Sequence, residues 1–459
     1  MCLVMVCLVV VLVAQLCMLR VGEANEAGRN PFLSRQYSCG MGGLSLEELA
    51  DCGVGIVSHF PWPRASEDPD MEKMRDFVQR AHELDILVLP YVSAEKAWED
   101  FDAVQYPRNS AGSVPYYHAV SPKEHRDWII IRPDGMLQLR YGEYVEGPEG
   151  EMVPKWDVPP GPGSYYMCAN VAGYRDAVIK GCRETMELGF DGLFIDNAVT
   201  ARLMRFGRCY GPDYKKHEHR FPDQDNQYAY TQLMGEMVGT IRSFGDEKIA
   251  FLNGGLESAF DDVRDVGMLE SYVCGGGQGR WHSWEQVQAW AKAYEQERVN
   301  GRVVTALSYI DGQEHPKLDD AYYCYCCALW SGFVWAGSSD GRVLYRAHLI
   351  QPRAERTQRD GIYYRLYDNG IVAVNPSDQS RSTALPLIDT MTEPVDLYSG
   401  MALPCNGGEF TVNVPPESGR VYIHRAEAVR VYAEEARMLA RREQQREEHS
   451  QLSDGSGQP

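Results

Sequence analysis

Two carboxylates stand where apolar runs end: Asp196 closes GFDGLFIDN, and Glu270 sits in MLESY. An acid at the end of an otherwise apolar, doubly buried strand is costly unless it has a partner or a task. Capping the next loop or pairing with an Arg is the structural alternative. Two acids facing one pocket can divide a hydrolysis between them, one protonating the leaving oxygen and the other attacking or activating water. Asp311, in SYIDGQ, is a reserve acid that an ordinary turn would explain equally well. Asp191 precedes its run and is expected at the opposite, stabilising end.

Other polar and aromatic residues recur just past apolar runs. They are His59 and Trp62, then Tyr91 and Ser93, then Asn197 beside Asp196, then Asn253, Tyr272 and Tyr309. Trp62, Tyr91, Trp98, Tyr272, Trp281, Tyr309 and Trp335 offer flat rings that could stack on pyranose faces, although aromatics at strand ends also serve as core plugs.

Metal-dependent chemistry through Asp196, Glu270 and His59 has no HxH or HExxH motif behind it. Cys209 with His217 and His219 fits no standard zinc spacing. No metal site and no cofactor are expected. The run GGGQG at Gly275–Gly279 has neither the GxxxxGK[ST] nor the GxGxxG spacing, and it reads as a flexible loop over a pocket.

The elements that must position these groups follow from periodicity. From about Cys52 to Ser339, short apolar runs alternate with longer amphipathic segments, as strand and helix in turn require. The expected strands are Val54–Phe60, Ile86–Val92, a third near Trp128–Arg132 or Tyr166–Ala169, then Gly192–Asp196, Ile249–Asn253, Val266–Tyr272, Val303–Ile310 and Phe333–Gly337. Helices are expected over Asp70–Leu84, Tyr174–Leu188, Gln227–Phe244, Trp284–Glu297 and Asp319–Trp330. Eight such units close into a (β/α)8 TIM barrel, whose strand C-terminal ends face the active site. The barrel is placed at 45–340, with a long insertion near 93–162 that exceeds an ordinary loop.

After it the pattern shortens to GIYYRLYDNGIVAVNP, PVDLYSG and GEFTVNVPPESGRVYIHR, which predicts a small antiparallel β-sandwich domain over 341–425. Within it, Asn369-Gly370 looks like the type I′ pair of a hairpin. Residues 426–459 read as a charged, solvated helix with Val429, Ala433, Ala436 and Ala440 on one face, ending in a disordered tail.

A chain of 459 residues with 44% hydrophobic content can bury a large core and a smaller second one. A net charge of −20 without a basic stripe argues against nucleic acid and anionic membrane surfaces as partners. Residues 1–24 read as a signal peptide, an apolar run to Cys17 followed by Gly22-Glu23-Ala24, which implies a secreted or extracytoplasmic protein. Its first residues lack Lys and Arg, so an uncleaved anchor is the alternative. Ten of the 13 cysteines lie beyond the leader and show no CxxC framework; most suit buried thiols, and the run AYYCYCCALW suits a packed helix.

The run DGLFIDN, followed by FLNGG, MLESY, VDLYSG and VPPESGRVYI, resembles the barrel glycoside hydrolases over roughly residues 50 to 425. An acid after the fourth strand and another after the sixth is similar to the α-galactosidase clan, in which the first is the nucleophile and the second the acid/base. The α-amylase superfamily has an Arg and a Glu where this chain has Phe194 and Asn253. DGLFIDN itself is closer to the endo-polygalactosaminidase-like and uncharacterised glycosidase-like barrels. The resemblance implies Asp196 as nucleophile or base and Glu270 as acid, with Asn253, Tyr91 and His59 holding hydroxyls or orienting the acids, a carbohydrate substrate and no cofactor. A different class of function remains open alongside it, a catalytically inactive barrel that binds a glycan or a protein.

Overall fold

Short apolar runs buried on both faces form parallel strands, because neither face is left to solvent. The computed structural model describes residues 30–41, 44–58, 71–98, 124–139, 143–146, 150, 152–155, 164–198, 208–254, 256, 258–275, 280–309, 318–337, 349 and 352–455. Strands β1 (Gln36–Cys39), β2 (Val54–Ser58) and β3 (Leu87–Leu89) form one sheet. A second sheet holds β4 (Tyr91–Ser93), β5 (Gly192–Asp196), β6 (Ile249–Asn253), β7 (Val266–Glu270), β8 (Val303–Leu307) and β9 (Val334–Trp335), in that order. All pairings in both sheets are parallel.

Pro90 has no amide hydrogen to give and separates β3 from β4. The chain entering and forming β5 bonds to both sides of that break, Asp191 N to Val88 O at 3.2 Å and Phe194 N to Pro90 O at 2.9 Å. At the far edge, β1 runs beside β9. The helices on this framework are α1 (Leu46–Asp51), α2 (Met71–Glu83), α3 (Ala172–Met186), α4 (Asn226–Arg242), α5 (Trp284–Ala293), α6 (Glu295–Val299) and α7 (Leu318–Ser331). Ser45, Asp225 and Ser283 cap α1, α4 and α5 by accepting backbone N–H groups of the first turn.

Two expectations about the strands need correction. The first parallel strand is β1, which begins before residue 45; QYSC is too short to carry a periodic signal. Neither expected third strand joins the parallel sheets. Ser164–Tyr166 pairs antiparallel with Lys96–Trp98, and Ile129 and Ile131 make isolated bridges. The excursion therefore supplies short antiparallel pieces, including Glu143–Glu146 with Met152–Lys155. With β3 and β4 counted as one strand, β5 is still the fourth in order and β7 the sixth.

Asp191 stabilises the end away from Asp196, as expected. Its Oδ2 accepts from Val88 N at 2.8 Å and lies 2.9 Å from His82 Nε2. Asp265 does the same for the neighbouring strands, accepting from Ala250 N at 2.9 Å.

Beyond residue 352 the pairing becomes antiparallel, as short connections such as the hairpin between Leu366 and Gly370 require. Strands β10 (Thr357–Arg359), β11 (Ile362–Leu366), β12 (Gly370–Asn375), β13 (Arg381–Pro386), β14 (Pro394–Asp396), β15 (Cys405–Asn406), β16 (Glu409–Val414) and β17 (Ser418–His424) form two sheets, β10-β11-β12-β17-β14 and β13-β16-β15. Leu385, Phe410 and Val412 of the smaller sheet share a buried cluster with Ile362, Ile371 and Tyr422 of the larger. The larger sheet's other face packs on α7, where Cys324, Cys326 and Cys327 meet Val372, Val374 and Val421. The expected hairpin joins β11 to β12, closed by Tyr367 N donating to Gly370 O at 2.8 Å. Neither Asn369 nor Gly370 has positive φ, so the turn is not type I′.

The terminal helix α8 (Arg425–Gly455) runs into residues read as a tail. Among its described side chains Ala428, Val431 and Met438 are buried, whereas Val429, expected on the apolar face, is 61% exposed. Met438 packs into the cluster of Leu46, Leu49 and Cys52, so this helix is docked and not simply solvated. Of the ten described cysteines, eight are buried. The leader and the last four residues lie outside the described residues, among which no helix is long and apolar enough to cross a membrane.

Candidate active site

The last residue of β5 is Asp196, and the last residue of β7 is Glu270. Each is followed by a residue in the left-handed region, Asn197 at φ 56° and Ser271 at φ 61°. Such a conformation is uncommon outside glycine, and it turns the chain sharply away from the strand. Both acids are thereby left at a strand terminus.

Between them lies β6, fully buried and ending in Asn253. Its register sets Leu252 against Ile195, the residue before Asp196, and Asn253 against Met268, two residues before Glu270. Asn253 Nδ2 donates to Asp196 Oδ1 at 2.7 Å and to Glu270 Oε2 at 3.1 Å. Those two carboxylate oxygens are therefore at most about 5.8 Å apart, the sum of the two bonds.

Further donors complete the arrangement. The Tyr91 hydroxyl and Asn197 Nδ2, the latter at 2.6 Å, donate to Asp196 Oδ2. The Tyr309 hydroxyl donates to Glu270 Oε1. Lys96, buried beside the site, reaches to 3.5 Å from the Tyr91 hydroxyl. The turn after Asp196 is fixed by Tyr230, whose hydroxyl donates to Asn197 O at 3.0 Å, and by Ala198 N donating to Asn253 O at 2.9 Å.

Burial, and after it the charge of Glu270, pushes the Tyr309 phenol well above its usual range, so it remains a hydrogen-bond donor at any ordinary pH. Cys39 ends β1 next to the same acids. Desolvation is the largest cause raising its thiol to about 12, and the charges of Glu270 and Asp196 add to it. A thiol held neutral in this way is not a nucleophile. The chemistry the arrangement can perform is that of two carboxylates facing one another across a shared amide.

The structure thus brings together six of the residues singled out in the sequence: Asp196, Glu270, Tyr91, Asn197, Asn253 and Tyr309. Tyr272 is a correction. It is 0% exposed, hydrogen-bonded to the Ser331 hydroxyl and packed against Phe333 at 5.4 Å between ring centroids. Its place two residues past Glu270 turns it into the core, so it cannot meet a ligand. Trp335 is likewise buried. Trp281 stands on a two-stranded hairpin with Cys274–Gly275, 40% exposed and 6.3 Å from the Tyr323 ring. His59, Trp62 and Asp311 lie outside the described residues. Sequence reasoning missed Lys96 and Cys39. Lys96 carried a usable signal, a lysine three residues past an apolar strand, whereas Cys39 lay in a strand too short to notice.

No protein-family model matches the chain, and no curated protein matches it. Among solved structures, the chain is similar to Ttha1563 from Thermus thermophilus, with 15% identity, a TM-score of 0.52, and 83% of this chain covering 88% of that one. It is also matched to α-galactosidase I from Mortierella vinacea (12% identity, TM-score 0.47, 86% of this chain and 98% of that). An α-amylase from Malbranchea cinnamomea matches at 9% identity and TM-score 0.48, over 87% of this chain and 98% of that one. Glycoside hydrolases are therefore among the structures this chain is similar to. Likeness at such identities bears on fold and leaves the chemistry to the site.

Proposed function

We propose that this protein is a glycoside hydrolase that cleaves an O-glycosidic bond of an oligo- or polysaccharide by double displacement, with Asp196 as nucleophile and Glu270 as acid/base. The observation that carries the reading is the Asn253 amide shared by both acids, which limits the separation of their facing oxygens to about 5.8 Å. Retaining pairs stand roughly 5 to 5.5 Å apart, whereas inverting pairs need roughly 6.5 to 9.5 Å to admit a water.

In the first step an Asp196 oxygen bonds to the anomeric carbon while the Glu270 proton passes to the departing oxygen. In the second step Glu270 takes a proton from water, the water oxygen bonds to the anomeric carbon, and the Asp196 ester breaks. Asn253, Asn197 and Tyr91 hold the Asp196 carboxylate in place throughout. Tyr309 orients Glu270. His59, Trp62, Trp281 and Asp311 remain proposed substrate contacts, and no cofactor enters either step.

On this reading the parallel strands form a (β/α)8 barrel closed between β1 and β9, followed by a β-sandwich domain that buries one face on α7. The apolar leader supports export, so the substrate would be met outside the cytoplasm. The test is sugar release by the purified chain from a panel of polysaccharides, beside Asp196→Asn and Glu270→Gln. Release by the wild type, with losses of about 10³-fold or more in folded variants, is the expected result. Binding without release, or cleavage by either variant at the wild-type rate, would leave a glycan- or protein-binding barrel in its place.

A further inference from the structure

The sequence spacing offers no zinc motif, yet folding gathers four ligand-type side chains from segments far apart in the chain. Cys168 lies between the Ser164–Tyr166 strand and α3; Cys209, His217 and His219 lie in the loop that leads into α4. One ligand atom from each of the four falls within 4.8 Å of every other. We propose that Cys168, Cys209, His217 and His219 form a structural zinc site that pins the loop following β5 to the segment ahead of α3.

The spacing of the atoms suits the metal. A tetrahedral zinc with bonds of about 2.3 Å to sulfur and about 2.0 to 2.1 Å to nitrogen holds neighbouring S and N ligands about 3.5 Å apart. Cys168 Sγ is 3.5 Å from His219 Nε2, and Cys209 Sγ is 3.3 Å from His217 Nε2. Both histidines present the same ring nitrogen. Two thiolates and two neutral imidazoles also leave a zinc ion with no net charge, which a site with Cys168 at 0% and Cys209 at 3% exposure requires.

The surroundings are those of a ligand cage. Ile131 N donates to Cys209 Sγ at 3.3 Å, the kind of backbone donor that holds a ligating thiolate. Asn226, 2% exposed, sets its amide 3.6 Å from Cys168 Sγ, and its Nδ2 is buried without a hydrogen-bond partner. Exchanging the amide oxygen and nitrogen, which the geometry permits, turns that orphaned donor onto a metal-bound thiolate. The His217 ring lies against Gly211, where a Cβ would come within 2.1 Å of Nε2. Any larger residue at 211 would displace the ligand. Arg220 N and Phe221 N then bond to the Asn170 backbone and side chain, both at 2.8 Å, and Tyr210 N bonds to Ile131 O at 2.9 Å. Four protein ligands leave no open position, so the role is structural and not catalytic.

The test is metal analysis of the full chain, purified from zinc-supplemented medium without chelator, beside Cys209→Ser and His219→Gln. About one zinc per wild-type chain is expected, falling at least tenfold in each variant, with a lower Tm for the wild type after chelation. Because a variant could fail to fold, cobalt(II) is loaded into the wild type as well. The expected spectrum has the intense visible absorption of tetrahedral cobalt and a thiolate-to-cobalt charge-transfer band. A metal-free chain, a weak octahedral cobalt spectrum, zinc retained in both variants, or a Cys168–Cys209 disulfide in non-reducing peptide mapping would each overturn the proposal.

Discussion

Asp196 and Glu270 share a single hydrogen-bond donor, Nδ2 of Asn253, at 2.7 and 3.1 Å. That amide is a direct hydrogen-bonded link between the two acids.

Replacing Asn253 with Ala removes the link while leaving both carboxylates in the chain. Loss of one preorganised donor from a reacting centre costs about 10²- to 10³-fold in kcat. On the proposed mechanism, Asn253→Ala is expected to fall in that range in polysaccharide hydrolysis, with KM little changed. A decline of less than threefold would show that the acids hold their spacing without it.

The two acids should differ in how they depend on the leaving group. A good leaving group needs no proton, so Glu270→Gln should recover most of its lost rate on an activated aryl glycoside. If Asp196 is the nucleophile, as proposed, Asp196→Asn should stay impaired on both substrates, because every leaving group needs that step. Equal recovery by both variants would reverse or remove the assigned roles.

Tyr272 offers a control from the same strand end. Its hydroxyl is buried against Ser331 and faces away from the acids, so Tyr272→Phe should leave kcat/KM unchanged. Denaturant unfolding should show a loss of about 1 kcal/mol for the deleted hydrogen bond. A large drop in activity with unchanged stability would return Tyr272 to the site.

At the opposite end of β5, Gly192 meets β6 too closely for any side chain. A Cβ there would sit 2.0 Å from the Ile249 carbonyl oxygen, at a φ of 154°. Gly192→Ala is expected to lower stability by about 3 kcal/mol or more, read from the denaturation midpoint or from loss of soluble protein. A midpoint equal to the wild type's would mean that β5 and β6 separate more easily than their register suggests.

Alkaline pH should weaken the fold through its buried thiols. Burial pushes the Cys182 thiol, in the middle of α3, up to about 12 from its ordinary value of 9.0. The unfolded chain therefore loses this proton at lower pH than the folded one. The stability it contributes is complete below about pH 9 and is lost as pH rises through about 12, at roughly 1.4 kcal/mol per pH unit between them. Cys182→Ala should flatten the fall in unfolding free energy between pH 9 and 11 by about that slope. An unchanged slope would place the alkaline sensitivity elsewhere.

The acids were legible in the sequence because an apolar run that ends in a carboxylate is a local signal, carried by five or six neighbouring residues. The alternation of such runs with amphipathic segments revealed the strand and helix order in the same way, and the change to short alternating runs after residue 341 marked the antiparallel part. Local composition also placed Asp191 at the far end of β5 and the cysteines of α7 in a packed helix. These properties belong to a stretch of chain and its period.

What the tertiary structure alone decided depends on strand neighbours and register. Asn253 lies 57 residues from Asp196 and 17 from Glu270, and no pattern in the sequence says that one amide will reach both. Tyr272 and Glu270 are two residues apart, yet the left-handed turn at Ser271 sends one ring into the core and leaves the other side chain at the strand end. β1 gained its place from a neighbour, β2, and not from its own four residues. Cys168 meets His219 across 51 residues because two loops dock on one another. Each of these outcomes is a distance between segments, fixed by packing after the chain has folded, and periodicity along the chain carries no record of it.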